Sequence, residues 1–186
     1  MLMLVENEPV PLDRRAWMEC RTLARMGYHV TVICPHGVTR DHEPYVRLDG
    51  VHIYRYPPRM SGGGARGYLV EYGSALRHIR RLVRRLSALE PFDVIHLSNP
   101  PDVLFLAVLS LRRRGARLVF DHHDLVPELY ASRFGGRRGL LYRLAVLCER
   151  ASIGIADVVI CPNESYRRIA IERDRKALED TFIVRN

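Results

Sequence analysis

Lysine is nearly missing from this chain of 186 residues: Lys176 is the only one among 29 basic residues. The others are arginines, whose planar fork suits bidentate contact with phosphate or carboxylate. GC-rich coding would leave the same signature. Cysteine is scarce as well. Cys20, Cys34, Cys148 and Cys161 show no CxxC spacing and lie in apolar stretches. That pattern argues against a disulfide framework or a cysteine metal site and suits buried thiols in a reducing compartment. No apolar run reaches the length of a bilayer span, and the N-terminus lacks the basic-then-apolar order of a signal peptide. A cytoplasmic protein is expected, one that could still lie against the inner face of a membrane. Zinc-finger spacing, a helix-turn-helix pattern and aromatic interleaving are absent too. Nucleic acid is therefore not an expected partner, although the formal charge is +8 and the pI near 9.7.

The composition, 47% apolar and 27% charged, is that of a globular domain with a core of its own. Short Val- and Ile-rich runs alternate with longer stretches of helical period. The predicted strands are Met1–Val5, His29–Pro35, Val51–Tyr56, Asp93–Leu97, Arg117–Asp121, Asp157–Cys161 and Phe182–Val184. Predicted helices are Arg14–Met26, Leu69–Leu89, Asp102–Arg114, Arg138–Ile155 and Glu164–Arg173. Strict alternation of near-continuous apolar strands with helices predicts an α/β fold, a Rossmann-like doubly wound parallel sheet of about seven strands with helices on both faces. A Gly-rich piece, Ser61–Gly64, lies in an expected mobile loop from Pro57 to Gly67.

In such sheets ligands bind beyond the carboxyl ends of the strands. The first β-α connection, Glu6 to Arg15, contains no glycine, so it cannot bring backbone against a dinucleotide pyrophosphate; NAD and FAD are not expected. Asp13 is a predicted helix cap there, and Arg14 or Arg15 could meet a phosphate. The sharpest segment is Asp121-His122-His123-Asp124, followed by Pro127-Glu128. Four ionisable residues at the end of a buried strand are costly unless they bind a ligand or one another. Strand alternation sends His122 and His123 to opposite sides, so one of them faces the crevice. Contact with a sugar hydroxyl, a proton relay and a purely structural hydrogen-bond cluster all fit, whereas a metal lacks a second ligand cluster. His96 ends the neighbouring strand, Asn99 suits a turn, and Asp102 after Pro100-Pro101 is expected to cap the next helix.

On the helix Leu69–Leu89, Tyr72, Leu76, Ile79, Val83 and Leu86 share one face. Arg77, Arg80, Arg81, Arg84 and Arg85 cover an arc of about 140° opposite. Such an arc is either a plain solvated face or a contact for anionic lipid.

Taken in order, several segments resemble the N-terminal half of the GT4-type retaining glycosyltransferases of bacterial surface-polysaccharide assembly. They are Asp13-Arg14-Arg15 with Gly27-Tyr28-His29-Val30-Thr31-Val32-Ile33, Asp93-Val94-Ile95-His96 with Asn99-Pro100-Pro101-Asp102, and Phe120-Asp121-His122-His123-Asp124 with Pro127-Glu128. Glu149, Ala156-Asp157, Asn163-Glu164-Ser165 and Val184-Arg185-Asn186 complete the series. The resemblance implies one half of a GT-B fold, with residues 1–186 as the acceptor-side domain and the nucleotide-sugar domain, which carries the family's EX7E motif, absent from this chain. It also implies transfer with retention from a UDP- or GDP-sugar to a lipid-linked saccharide acceptor, with no cofactor and no metal, and a domain inactive by itself. The alternative is a non-catalytic acceptor- or membrane-binding subunit of a split glycosyltransferase.

Residue by residue, the resemblance implies that His123 touches the donor sugar beneath the leaving group and that His96 and Asn99 face the cleft. Arg15, His122, Asp124, Glu128 and Asn163 are further candidate substrate-binding residues, and Glu149 matches the acid on the helix before the Ala156-Asp157 strand. There are two departures: Pro11 to Arg15 replace a glycine pair, and Ala145 stands where an arginine often meets an acceptor phosphate.

Overall fold

The computed structural model describes residues 1–37, 41–59, 64–133, 136 and 138–185. Eight strands form one sheet: β1 (Leu2–Leu4), β2 (Thr31–Pro35), β3 (Tyr45–Leu48), β4 (Val51–Tyr56), β5 (Val94–Ser98), β6 (Arg117–Asp121), β7 (Val158–Cys161) and β8 (Thr181–Ile183). Their order is β3-β4-β2-β1-β5-β6-β7-β8, parallel throughout except for β3. Both neighbours of β1 run parallel to it, so the chain reverses its winding there. The crevice therefore opens where β1 and β5 end.

Six helices cover the sheet: α1 (Arg14–Arg25), α2 (Gly64–Leu86), α3 (Phe105–Arg112), α4 (Val126–Arg133), α5 (Leu140–Ile155) and α6 (Glu164–Glu172). Asp13 caps α1 as expected, its side chain accepting from Ala16 N at 3.0 Å, and Gly27 ends the helix at φ +90, where a Cβ would be strained. Because side chains alternate along a strand, the sheet has two distinct apolar layers. Leu2, Leu4, Ile33, Ile95, Leu97, Leu118, Phe120 and Val159 pack under α2, α3, α5 and α6. On the other face Met3, Val5, Val32, Cys34 and Ile53 pack under α1.

The sequence-based boundaries need several corrections. An eighth strand, β3, pairs antiparallel with β4 across Asp49-Gly50; its residues are mostly exposed, so no apolar pattern announces it. Helix α4 lies where only a loop was expected. Pro127 falls in its first turn, where a missing N–H costs nothing. The supposed mobile loop is in part the first turn of α2, which starts at Gly64; Ser61–Gly63 lie outside the described residues. Asp102 does not cap α3. That helix begins after Leu104, and the Asp102 side chain is buried, accepting from Asn99 Nδ2 at 3.0 Å. No described helix is long and apolar enough to cross a membrane.

Candidate functional site

Parallel register brings Met3, His96, Val119 and Val158 into one row on the α1 face, and Ser98, Asp121, Ile160 and Phe182 into the next. Asp121, the last residue of β6, is thus placed beside α1 at the rim of the crevice. Arg15, in the first turn of α1, clamps it with two bonds: Nε to Oδ2 at 2.8 Å and Nη2 to Oδ1 at 2.9 Å. Arg15 Nη1 also donates to the carbonyl of Val184, just past β8, at 3.2 Å. The arginine expected to meet a phosphate is therefore engaged by the protein's own carboxylate.

Two histidines converge on the same oxygen. His96 Nε2 and His123 Nδ1 each lie 3.7 Å from Asp121 Oδ2, and His96 Nε2 lies 3.6 Å from Glu19 Oε2. Burial pushes the Asp121 carboxyl up, but His123, His96 and Arg15 together outweigh it and hold the group well below the usual carboxylate range. For His123 burial works downward, and the neighbouring Asp121 carboxylate reverses the balance, raising the imidazole above its ordinary value. Glu19, raised chiefly by burial, was not predicted as a site residue. It lies one helical turn beyond Arg15, a spacing at which the two meet (3.5 Å), and that spacing was legible.

His123 stays half-buried at the rim because Asn99 holds its loop. The Asn99 Oδ1 accepts from the backbone N–H of both His123 and Asp124 at 3.0 Å, while Nδ2 donates to the Asp124 carbonyl at 2.7 Å and to Asp102. One buried amide thus meets four partners, and the turn after β6 is rigidly shaped. Asp124 contributes that carbonyl, with its side chain half-buried. Glu6, just past β1, is a further acid at this end of the sheet; burial, then Glu71, pushes it up to about 8.

His122 points the other way, as alternation requires. It is fully buried, with Nε2 2.9 Å from Glu149 Oε1. The other Glu149 oxygen accepts from Arg173, whose second nitrogen binds Glu128. His122, Glu149, Arg173 and Glu128 form a chain of polar contacts that ties β6, α5, the end of α6 and α4 together. Nothing in the sequence announced Arg173, which reads as an ordinary helix-end cation. Two acids beside this chain are raised, chiefly by burial: Asp102 to about 7 and Asp174 to about 6. Asn163, the remaining predicted contact, caps α6 by accepting from Tyr166 N at 3.1 Å. Arg77, Arg80, Arg81, Arg84 and Arg85 are all exposed on α2, opposite the buried Ala75, Ile79, Val83 and Leu86.

Glu19, His96 and Asp121 offer ligand atoms within 4.8 Å of one another, a spacing open to a divalent cation. Both Asp121 oxygens are already taken by Arg15, so such an ion would face a guanidinium. Glu19 and His96 also line an apolar groove of about 320 Å³ between α1 and Val184. A larger hollow of about 490 Å³, from Ser87 to Asp93 and Leu111 to Arg117, lies at the opposite end of the sheet, away from these groups.

A family model described as "Glycosyl transferase 4-like domain" matches residues 12–182. No curated protein sequence matches significantly. Among solved structures, sucrose-phosphate synthase from Thermosynechococcus elongatus superposes with a TM-score of 0.71 at 14% identity, covering 99% of this chain and 47% of that one. A UDP-N-acetylglucosamine 2-epimerase from Rickettsia bellii gives 0.52 at 14% identity over 98% and 43%. A trehalose-6-phosphate synthase, studied for glycosyl transfer with retention, gives 0.53 at 14% identity over 92% and 41%. The present chain spans less than half the length of each of these three. A family match over nearly the whole sequence, on a doubly wound sheet of this topology, identifies the chain as a member of the glycosyltransferase 4-like family, a Rossmann-like domain of the GT-B type.

Proposed function

We propose that this domain is the acceptor-side half of a retaining glycosyltransferase that moves a sugar from a UDP- or GDP-sugar to a lipid-linked saccharide at the cytoplasmic face of a membrane. The nucleotide would be held by a second domain outside these 186 residues, and the domain alone would not turn over. One observation carries this reading. Of the two adjacent histidines after β6, the one at the crevice rim is held by the Asn99 clamp beside the Asp121 carboxylate.

Charge develops on the leaving diphosphate and the sugar ring as the glycosidic bond breaks. A fixed donor is worth most where charge appears only in the transition state. His123, raised above its ordinary value, presents an N–H at the rim for the donor sugar and orients it; it is not a nucleophile. Asn99 and Asp121 act through His123 as positioning residues. His96 and Asp124 are further candidates for contact with sugar hydroxyls. His122 and Glu128 support the loop from within the domain, Asn163 caps α6, and Arg15 supports Asp121.

The test is His123→Ala in a polypeptide that carries both halves. A fall in kcat of about a hundredfold or more, with nucleotide affinity unchanged, is the expected result. An unchanged kcat would remove His123 from the mechanism.

A further inference from the structure

Helix α5 carries a row of apolar side chains on its outer side. Glu149, Ser152 and Ile153 face the interior. On the opposite side, at about 100° per residue, lie Leu140, Leu144 and Leu147. They are 81%, 46% and 61% exposed. An exposed row of leucines belongs in an apolar surrounding, and the outer side of α5 has none from the described chain.

The setting of the leucines points to their partner. Helices α2, α3 and α5 cover the same face of the sheet, so their outer sides form one layer. Into that layer α2 projects its five exposed arginines, α3 the 40%-exposed Leu106, and α5 the exposed Arg143. Carboxylates are nearly absent on these three helices: α3 has none, α5 only the fully buried Glu149, and the described side chains of α2 only the half-buried Glu71 near its start; the exposed acids of this face, Glu164 and Glu172, lie on α6, beyond α5. Leucines among arginines, without exposed acids, match an anionic lipid surface, where apolar side chains enter the acyl boundary and cations meet headgroups. A second copy of this chain fits less well, because self-contact would set arginine against arginine. The crossover from β6 to β7 runs α5 antiparallel to the strands, so Leu140, the most exposed leucine, lies at the crevice end.

We propose that the outer surface of α2, α3 and α5 docks on an anionic bilayer, with Leu140, Leu144 and Leu147 entering the acyl region and the α2 arginines holding headgroups. This deepens the lipid-linked-acceptor reading, since it brings the crevice rim to the membrane. It is measured without donor or acceptor, so its failure is distinct from a failure of the transfer reading.

The 186-residue chain is sedimented with vesicles of equal parts phosphatidylglycerol and phosphatidylcholine, and with phosphatidylcholine alone. Binding to the mixed vesicles is expected. Leu140→Ser with Leu144→Ser and Leu147→Ser should lower partitioning about tenfold or more, and the residual binding should vanish at high salt. Because these side chains are exposed, the triple variant keeps the parent's melting temperature. In Leu144→Trp, acyl-chain-brominated lipid should quench the new emission while the Trp17 emission persists. Failure of the parent to bind the mixed vesicles overturns the proposal, as does a triple variant that binds like the parent or a Trp at 144 that is not quenched. A parent dimer made monomeric by the triple variant, with vesicle binding intact, would name a second copy as the occupant and overturn it equally.

Discussion

His122 and His123 are neighbours in sequence and opposites in the fold. The first is sealed against Glu149 beneath α5; the second stands at the crevice rim beside Asp121. The carboxylates around them differ in the same sense. Asp121 is buried, yet an arginine fork and two imidazoles hold its charge. Asp174 accepts no hydrogen bond, and burial pushes it up to about 6. Burial alone therefore does not set the protonation of an acid here; the donors aimed at it do. One cluster stores charge where a ligand can use it, and the other fastens helices together.

The contrast is broken most directly by exchanging its consequences. His123→Ala should cost catalysis, as set out above, and leave the melting temperature close to the parent's, because its Nδ1 has no hydrogen-bond partner within the domain. His122→Ala should do the reverse. It leaves Glu149 buried with Arg173 alone and should destabilise the domain by about 3 kcal/mol, measured by urea unfolding. If the two variants behave alike, the division between site and scaffold is wrong.

Asn99→Ala removes the acceptor of two backbone N–H groups, and a loss of about 2 kcal/mol is expected in the same assay. In the two-domain enzyme it should also lower kcat, since the His123 loop loses its clamp.

Asp121→Asn sharpens the comparison through pH. In the parent, His123 titrates above its ordinary 6.5. Its folded pKa exceeds the unfolded one, so its contribution to stability is complete below the unfolded pKa and fades as pH rises through the folded value. With Asp121 neutral, burial becomes the leading influence and the pKa should fall below 6.5. Titration of the imidazole carbon-bound protons by NMR reads this shift; an unmoved pKa would separate His123 from Asp121.

The smallest effect belongs to Asp174. Its folded pKa of about 6 lies above the ordinary 3.8. Its stabilising contribution is therefore present at low pH and is lost as pH rises through about 6. Asp174→Asn should raise the melting temperature above neutral pH, with the gap closing in acid. A gap that widens in acid would mean that Arg150 and Arg173 hold the charged form after all.

Much of the fold was legible because parallel strands buried on both faces leave continuous Val- and Ile-rich runs. All seven strands expected from such runs are present, within a residue or two at most ends. The eighth, β3, was not, because an exposed edge strand carries no burial signal; nor was α4, a helix of 8 residues with no apolar stripe. In the site, the segment at 121–124 and its split between two sides were visible from alternation. Arg173 and Glu19 were not named, because their meaning depends on partners 24 and 77 residues away, Glu149 and His96, which only packing brings near.

The alternation of seven buried strands with helices, the absence of glycine from the first β-α connection and the concentration of ionisable groups after β6 were thus settled by the sequence, since each rests on local periodicity or residue type. Which histidine faces the crevice, which arginine is engaged and which leucines stay uncovered were decided only by the tertiary structure. Burial, charge pairing and protonation are properties of contacts between distant segments, and those contacts do not exist until the sheet and its two helical layers are assembled.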